Sequence, residues 1–150
     1  MMMHLPILIS LALIILPQKS ADKAAETAQI LRARALDYVA GYYLADTDRM
    51  DRALHPDLVK RVVSQYQKTG NDVLQMVSKA TLLEMAKGNS ASANSAKTQK
   101  KIQNIRVEIL DVDEEVASVK VISPDFIDYL HMGIWNGEWI IINVFWRSLR

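Results

Sequence analysis

From Pro124 to Trp146 the chain follows the two-residue period of a strand, yet apolar side chains occupy both phases. Asn136-Gly137 near the middle predicts a type I′ turn, because both central residues of that turn need positive φ. A two-residue turn there pairs Trp135 with Glu138, Ile134 with Trp139, Met132 with Ile141, Leu130 with Asn143 and Asp128 with Phe145. One face then carries Phe126, Asp128, Leu130, Met132, Ile134, Trp139, Ile141, Asn143 and Phe145. The other carries Ile127, Tyr129, His131, Gly133, Trp135, Glu138, Ile140, Ile142, Val144 and Trp146. Neither face reads as solvent. Such a sheet needs helices on one side and something else, such as a second subunit, on the other.

Upstream the period changes. Apolar positions recur at helical spacing through Ile30, Leu31, Ala35, Leu36, Val39, Tyr42 and Tyr43, which predicts a long amphipathic helix over 21–44. Asp46, Thr47 or Asp48 caps a short second helix carrying Met50, Ala53 and Leu54, and His55-Pro56 stops it. Residues 57–64 turn extended, Gly70-Asn71-Asp72 is a turn, and 72–77 pairs back as a short strand. Ser78 or Thr81 opens a third helix that Gly88 ends. Residues 89–101 hold nothing apolar larger than alanine and read as a mobile loop. Strands over 102–111 and 116–122 follow, separated by Asp113-Glu114-Glu115. Helices ahead of an antiparallel meander define an α+β domain with helices on one sheet face.

The 150 residues suit one domain. A net charge of +1 without a long basic block lacks the electrostatic footprint of a nucleic-acid binder, leaving small molecules or proteins as partners. Without cysteine there is no disulfide framework, thiolate nucleophile or Cys-ligated metal. His55 and His131 with scattered carboxylates make no metal-ligand spacing, and no cofactor is expected. Glycine-rich phosphate loops and nucleophile elbows are missing as well. Leu5–Leu16 is an apolar run followed by Pro17-Gln18-Lys19-Ser20, the length of a signal-peptide core and short of the ~20 residues that span a bilayer. A signal over 1–20 and a mature domain over 21–150, secreted or periplasmic and off the membrane once cleaved, are the expectation.

Gly41-Tyr42-Tyr43, the Asp-rich turn, Arg52-Ala53-Leu54-His55-Pro56-Asp57-Leu58, Asp125 to His131, and Gly137-Glu138-Trp139 to Asn143-Val144-Phe145-Trp146 together resemble the family described as putative lumazine-binding. That family belongs to the nuclear transport factor 2-like (SnoaL-like) superfamily, and the resemblance covers 27–146. It implies a cystatin-like α+β roll, a cone in which a curved antiparallel sheet wraps three N-terminal helices around a cavity. It also implies frequent dimerisation through the outer sheet face. Activity does not follow, since one fold hosts many functions.

If the Asp128 face points into the cone, a carboxylate lies among apolar groups and its pKa rises. By analogy with ketosteroid isomerase within the resembled superfamily, Asp128 is a candidate general base, with Asn143 as a donor to a developing oxyanion. The structural alternative is that Asn143 merely satisfies Asp128. His55, at a helix end, is a second candidate acid or base, or else a capping residue. Tyr38 and Tyr42 lie one turn apart and, with Phe126, Leu130, Trp139, Asn143 and Phe145, are the candidate ligand-binding set. Tyr129, His131, Trp135, Ile142 and Trp146 compose the candidate dimer face. Three functions remain open: an exported domain binding a small apolar molecule, an isomerase- or dehydratase-like enzyme using Asp128, and a dimeric structural or interaction module. A cavity well below ~300 Å³ would leave no room for a drug-sized ligand.

Overall fold

The computed structural model describes residues 16–149, with side chains from residue 20 onward. The expected signal lies, for residues 1–15, outside the described residues, and 16–20 continue the first helix. In chain order the elements are α1 (Leu16–Leu44), α2 (Thr47–Ala53), β1 (Leu54–Gln65), β2 (Asp72–Ser78), α3 (Lys79–Lys87), α4 (Ala96–Gln103), β3 (Arg106–Asp113), β4 (Val116–Ile122), β5 (Phe126–Trp135) and β6 (Glu138–Ser148). A single six-stranded sheet runs in the order β2-β1-β6-β5-β4-β3, curved and unclosed, with β2 and β3 as its edges. No helix among the described residues is long and apolar enough to cross a membrane.

The expected elements recur with two differences of organisation. The β1–β2 hairpin stands between α2 and α3 as expected, but β1 lies parallel to β6, so the sheet is mixed rather than wholly antiparallel. The stretch read as a mobile loop contains a 3₁₀ turn at Ser90–Ser92 and then α4, which makes four α-helices among the described residues rather than three. Ser95 caps α4 by accepting from the Thr98 amide, and Thr98 is buried. A capped polar helix of two turns shows almost no apolar periodicity to read.

Leu31, Ala35, Tyr38 and Val39 form the buried stripe of α1, at the three- and four-residue spacing that points side chains to one face. They pack on Val119, Val121, Leu130, Met132, Trp139, Ile141 and Val144 of the sheet's inner face. Asp46 caps α2, and α2 folds tightly against α1: a Cβ on Gly41 would stand 2.6 Å from Met50 Cγ. Asn136 and Gly137 take the positive φ values of 52° and 82° that the hairpin turn requires.

Near that turn the register is the expected one: Trp135 pairs with Glu138, Ile134 with Trp139 and Met132 with Ile141. Then the pairing slips. His131 pairs with Asn143, Leu130 with Val144, Tyr129 with Phe145 and Asp128 with Trp146, leaving Ile142 as the extra residue of a β-bulge. Ile142 lies over Gly133, where an added Cβ would come within 2.9 Å of Ile142 Cδ1. One extra residue exchanges the faces of everything beyond it. Asn143 and Phe145 therefore turn outward, while Val144 and Trp146 turn inward, correcting four expected placements: Asn143 and Phe145 in the cone and Val144 and Trp146 on its outer face.

Candidate functional site

Three strands bring the central group together. Lys60 on β1 pairs with Val144 on β6, and β6 carries Trp146 opposite Asp128 on β5. Lys60 and Asp128 thus face inward on either side of β6. Lys60 Nζ donates to Asp128 Oδ1 at 2.8 Å and to the Tyr38 hydroxyl at 2.7 Å. The Asp128 side chain is 0% exposed and that of Lys60 8%. Aromatic rings box the ammonium, with the Trp146 centroid 4.6 Å away, Phe126 4.9 Å and Tyr38 5.4 Å. Cations are attracted to ring faces at such distances.

Burial sets the electrostatics. It pushes the Asp128 carboxyl above the usual carboxylate range, against the Lys60 charge and hydrogen bond and the Tyr38 hydroxyl, all of which lower it. It pulls Lys60 below the usual ammonium range, against the raising effect of Asp128. The Tyr38 phenol is raised well above its ordinary value by burial first and by the Asp128 charge second. Desolvation disfavours the charged form of each group, as expected where water is excluded.

Lys60 forms part of the wall of a chamber of about 70 Å³ between α1, α3 and the sheet, lined also by Tyr38, Tyr42, Leu82, Met85 and Trp146. Tyr42, Phe126 and Trp146 are shared with an adjoining polar hollow of about 300 Å³, which Asn89, Thr98, Lys101 and Asp125 also line. The shared rings stand edge-on to one another, Tyr42 at 6.0 Å and Trp146 at 6.4 Å from Phe126. Trp146 Nε1 is buried and makes no hydrogen bond among the described residues. Beside the hollow, Tyr43 donates to Ser123 and to Asp125, which also pairs with Lys101. The inner chamber alone is too small for a drug-sized molecule; a ligand entering it must leave most of its body in the outer hollow.

Of the candidate residues, Tyr38, Tyr42 and Phe126 line this cleft and Asp128 lies beside it, held by Lys60. Leu130 and Trp139 share the inner face but belong to the packed core and do not line the cleft. Asn143 accepts from Arg61 and bonds His131 on the outer face, so it is no partner of Asp128. Phe145, 46% exposed, also lies outside. His55 is at the other end of β5: its Nδ1 accepts from the Asp57 amide and its ring meets Trp135 edge-on at 4.5 Å. Tyr129, His131, Trp135 and Ile142 are exposed on the outer side, with Trp146 turned away from them. No cluster of three or more metal-ligating residues occurs among the described residues.

Lys60 is the residue that sequence reasoning missed. Its signal was the alternation Leu58-x-Lys60-x-Val62, which places the lysine on the face of a buried leucine. Val59 and Val63 on the opposite phase obscured it.

The fold so assembled is that of nuclear transport factor 2-like proteins. An NTF-2 like protein of unknown function from Silicibacter pomeroyi DSS-3 is 18% identical with a TM-score of 0.62, over 83% of this chain and 98% of that one. A second, from Shewanella baltica OS155, is 15% identical with a TM-score of 0.59, over 85% and 96%. A protein named as a putative scytalone dehydratase, from Novosphingobium aromaticivorans, is 12% identical with a TM-score of 0.52, over 87% and 89%. At these identities the likeness is one of fold. Among curated proteins none matches. Residues 25–147 match the family described as putative lumazine-binding, and the chain belongs to that family.

Proposed function

We propose that this is an exported domain that binds a small, flat, largely apolar molecule in the aromatic cleft, with an oxygen of the ligand directed at Lys60. The observation that carries this reading is a buried ammonium forming part of an aromatic-walled chamber. Apolar walls with a few convergent polar groups are the usual constitution of a ligand site.

The enzyme reading draws on the raised pKa of Asp128 and on the dehydratase named among the structural neighbours. It is the weaker one, because a base must reach its substrate, and Asp128 is 0% exposed and lines neither chamber nor hollow, although only its Oδ1 is taken by Lys60 and its Oδ2 has no partner among the described residues. The outer sheet face, where Tyr129 is 44% and Phe145 46% exposed, is assigned to a second copy of the chain, as the resemblance implies for that face.

Native mass spectrometry of the protein taken from the exported fraction of its own host tests ligand and dimer together. A dimer carrying a small-molecule mass is expected. The small mass should be lost in Met85→Trp, since Met85 lines the cleft and is exposed enough, at 49%, to take a larger ring without displacing the buried side chains. A bare monomer would overturn both assignments.

A further inference from the structure

Lys60 combines features that an ion pair alone does not require. Lys60 lines a chamber, and its nitrogen has one hydroxyl and one carboxylate at hydrogen-bond distance and three aromatic rings around it. By contrast Lys23, Lys68, Lys87, Lys97 and Lys100 are exposed. Exposed amines are held protonated by water and react slowly with carbonyls. An amine in a desolvated pocket beside a proton acceptor is placed to react.

We propose, resting on the cleft reading above, that Lys60 captures a carbonyl compound covalently: an aldehyde or ketone whose carbonyl end fits the inner chamber and whose flat body lies between Tyr42, Phe126 and Trp146. Asp128 Oδ1, 2.8 Å away, takes a proton from the ammonium, and the freed nitrogen lone pair forms a bond to the carbonyl carbon. The C=O π pair moves to oxygen, which receives a proton from the nitrogen through the Tyr38 hydroxyl, 2.7 Å from Nζ, giving a carbinolamine. Asp128 then returns its proton to that oxygen through the hydroxyl of Tyr38, which lines the chamber, the C–O bond breaks and water leaves. The product is a protonated imine. Ammonium and carbonyl become iminium and water, with no electron gained or lost. Asp128 holds the proton while the nitrogen is uncharged and is ionised again only as the iminium forms, so the carboxylate is never left unpaired in a buried site. Lys60 would touch the reacting carbon directly, while Tyr38 and Asp128 move the protons.

The experiment uses the full chain with limiting propanal or 3-phenylpropanal and cyanoborohydride, followed by peptide mapping. Lys60 is expected to be alkylated at least ~10-fold faster than the mean of the exposed lysines. Lys60→Arg keeps the buried cation and should remove the fast adduct, and Tyr38→Phe should slow it. Binding of the non-carbonyl analogue 3-phenylpropan-1-ol is measured in parallel. If the alcohol binds and only exposed lysines are alkylated, covalent capture is overturned and the cleft reading stands. If the alcohol does not bind and Lys60 stays unmodified, both are overturned.

Discussion

Replacing Lys60 by methionine is expected to cost about 3–5 kcal/mol of folding stability, the effect of stranding one member of a buried ion pair. Methionine keeps the length of the stem, so the loss arises from the charge left behind rather than from a cavity. Asp128 would then be a buried carboxylate without a counter-charge, and its folded pKa, already raised by burial, would rise further. A raised folded pKa means that the folded state binds its proton more tightly than the unfolded chain. The stability from this group is therefore complete below the ordinary carboxylate range and is lost as pH rises through the folded value. Urea unfolding of Lys60→Met across acid to neutral pH should show its deficit from wild type growing as pH rises. A deficit independent of pH would place the cost in packing instead.

The second large effect runs in the opposite direction. Tyr38, Lys60 and Asp128 form one network, and a network stripped of some members is worse than an apolar core of similar shape. The double variant Lys60→Met/Asp128→Val still strands the buried Tyr38 hydroxyl, at a cost of about 1–3 kcal/mol. The triple variant Tyr38→Phe/Lys60→Met/Asp128→Val leaves no buried polar group of that network. Its stability is expected to equal or exceed that of wild type by up to ~4 kcal/mol, as when buried ion pairs give way to well-packed hydrophobes. Chemical denaturation of wild type, single, double and triple variants measures each coupling. Recovery of stability in the triple variant together with loss of ligand would show that the network serves the cleft rather than the fold.

Much of the architecture was legible because the local signals agreed with the tertiary outcome. Asn136-Gly137 marked its turn, Asp46 and Ser78 marked their helix starts, and the α1 stripe through Leu31, Ala35 and Val39 faced the sheet as its spacing implied. What escaped was set by long-range packing. Ile140-Ile141-Ile142 offers three similar side chains in a row, so nothing local says which is the extra residue of the bulge; the fit of Ile142 over Gly133 decides it. That one-residue slip moved Trp146 into the cleft and Asn143 and Phe145 out of it. Asp128 was found because a lone carboxylate on an apolar face is conspicuous. Its partner was not, because a lysine in Leu58-Val59-Lys60-Arg61-Val62-Val63 reads as an ordinary solvent residue until parallel pairing with β6 fixes the face it takes. The α4 helix was hidden by its polarity.

The most direct test of the central claim is nitrogen NMR of the lysine side chains during addition of lumazine, the compound in the family's description, and of 3-phenylpropanoate, which carries a carboxylate on a flat apolar body. Lys60, held by Tyr38 and Asp128 and shielded from solvent, should give an ammonium signal protected from exchange. The account expects that signal to shift with at least one of the two compounds while the signals of exposed lysines stay in place. A protected Lys60 signal unmoved by either compound, with the perturbed residues lying elsewhere on the surface, would contradict it.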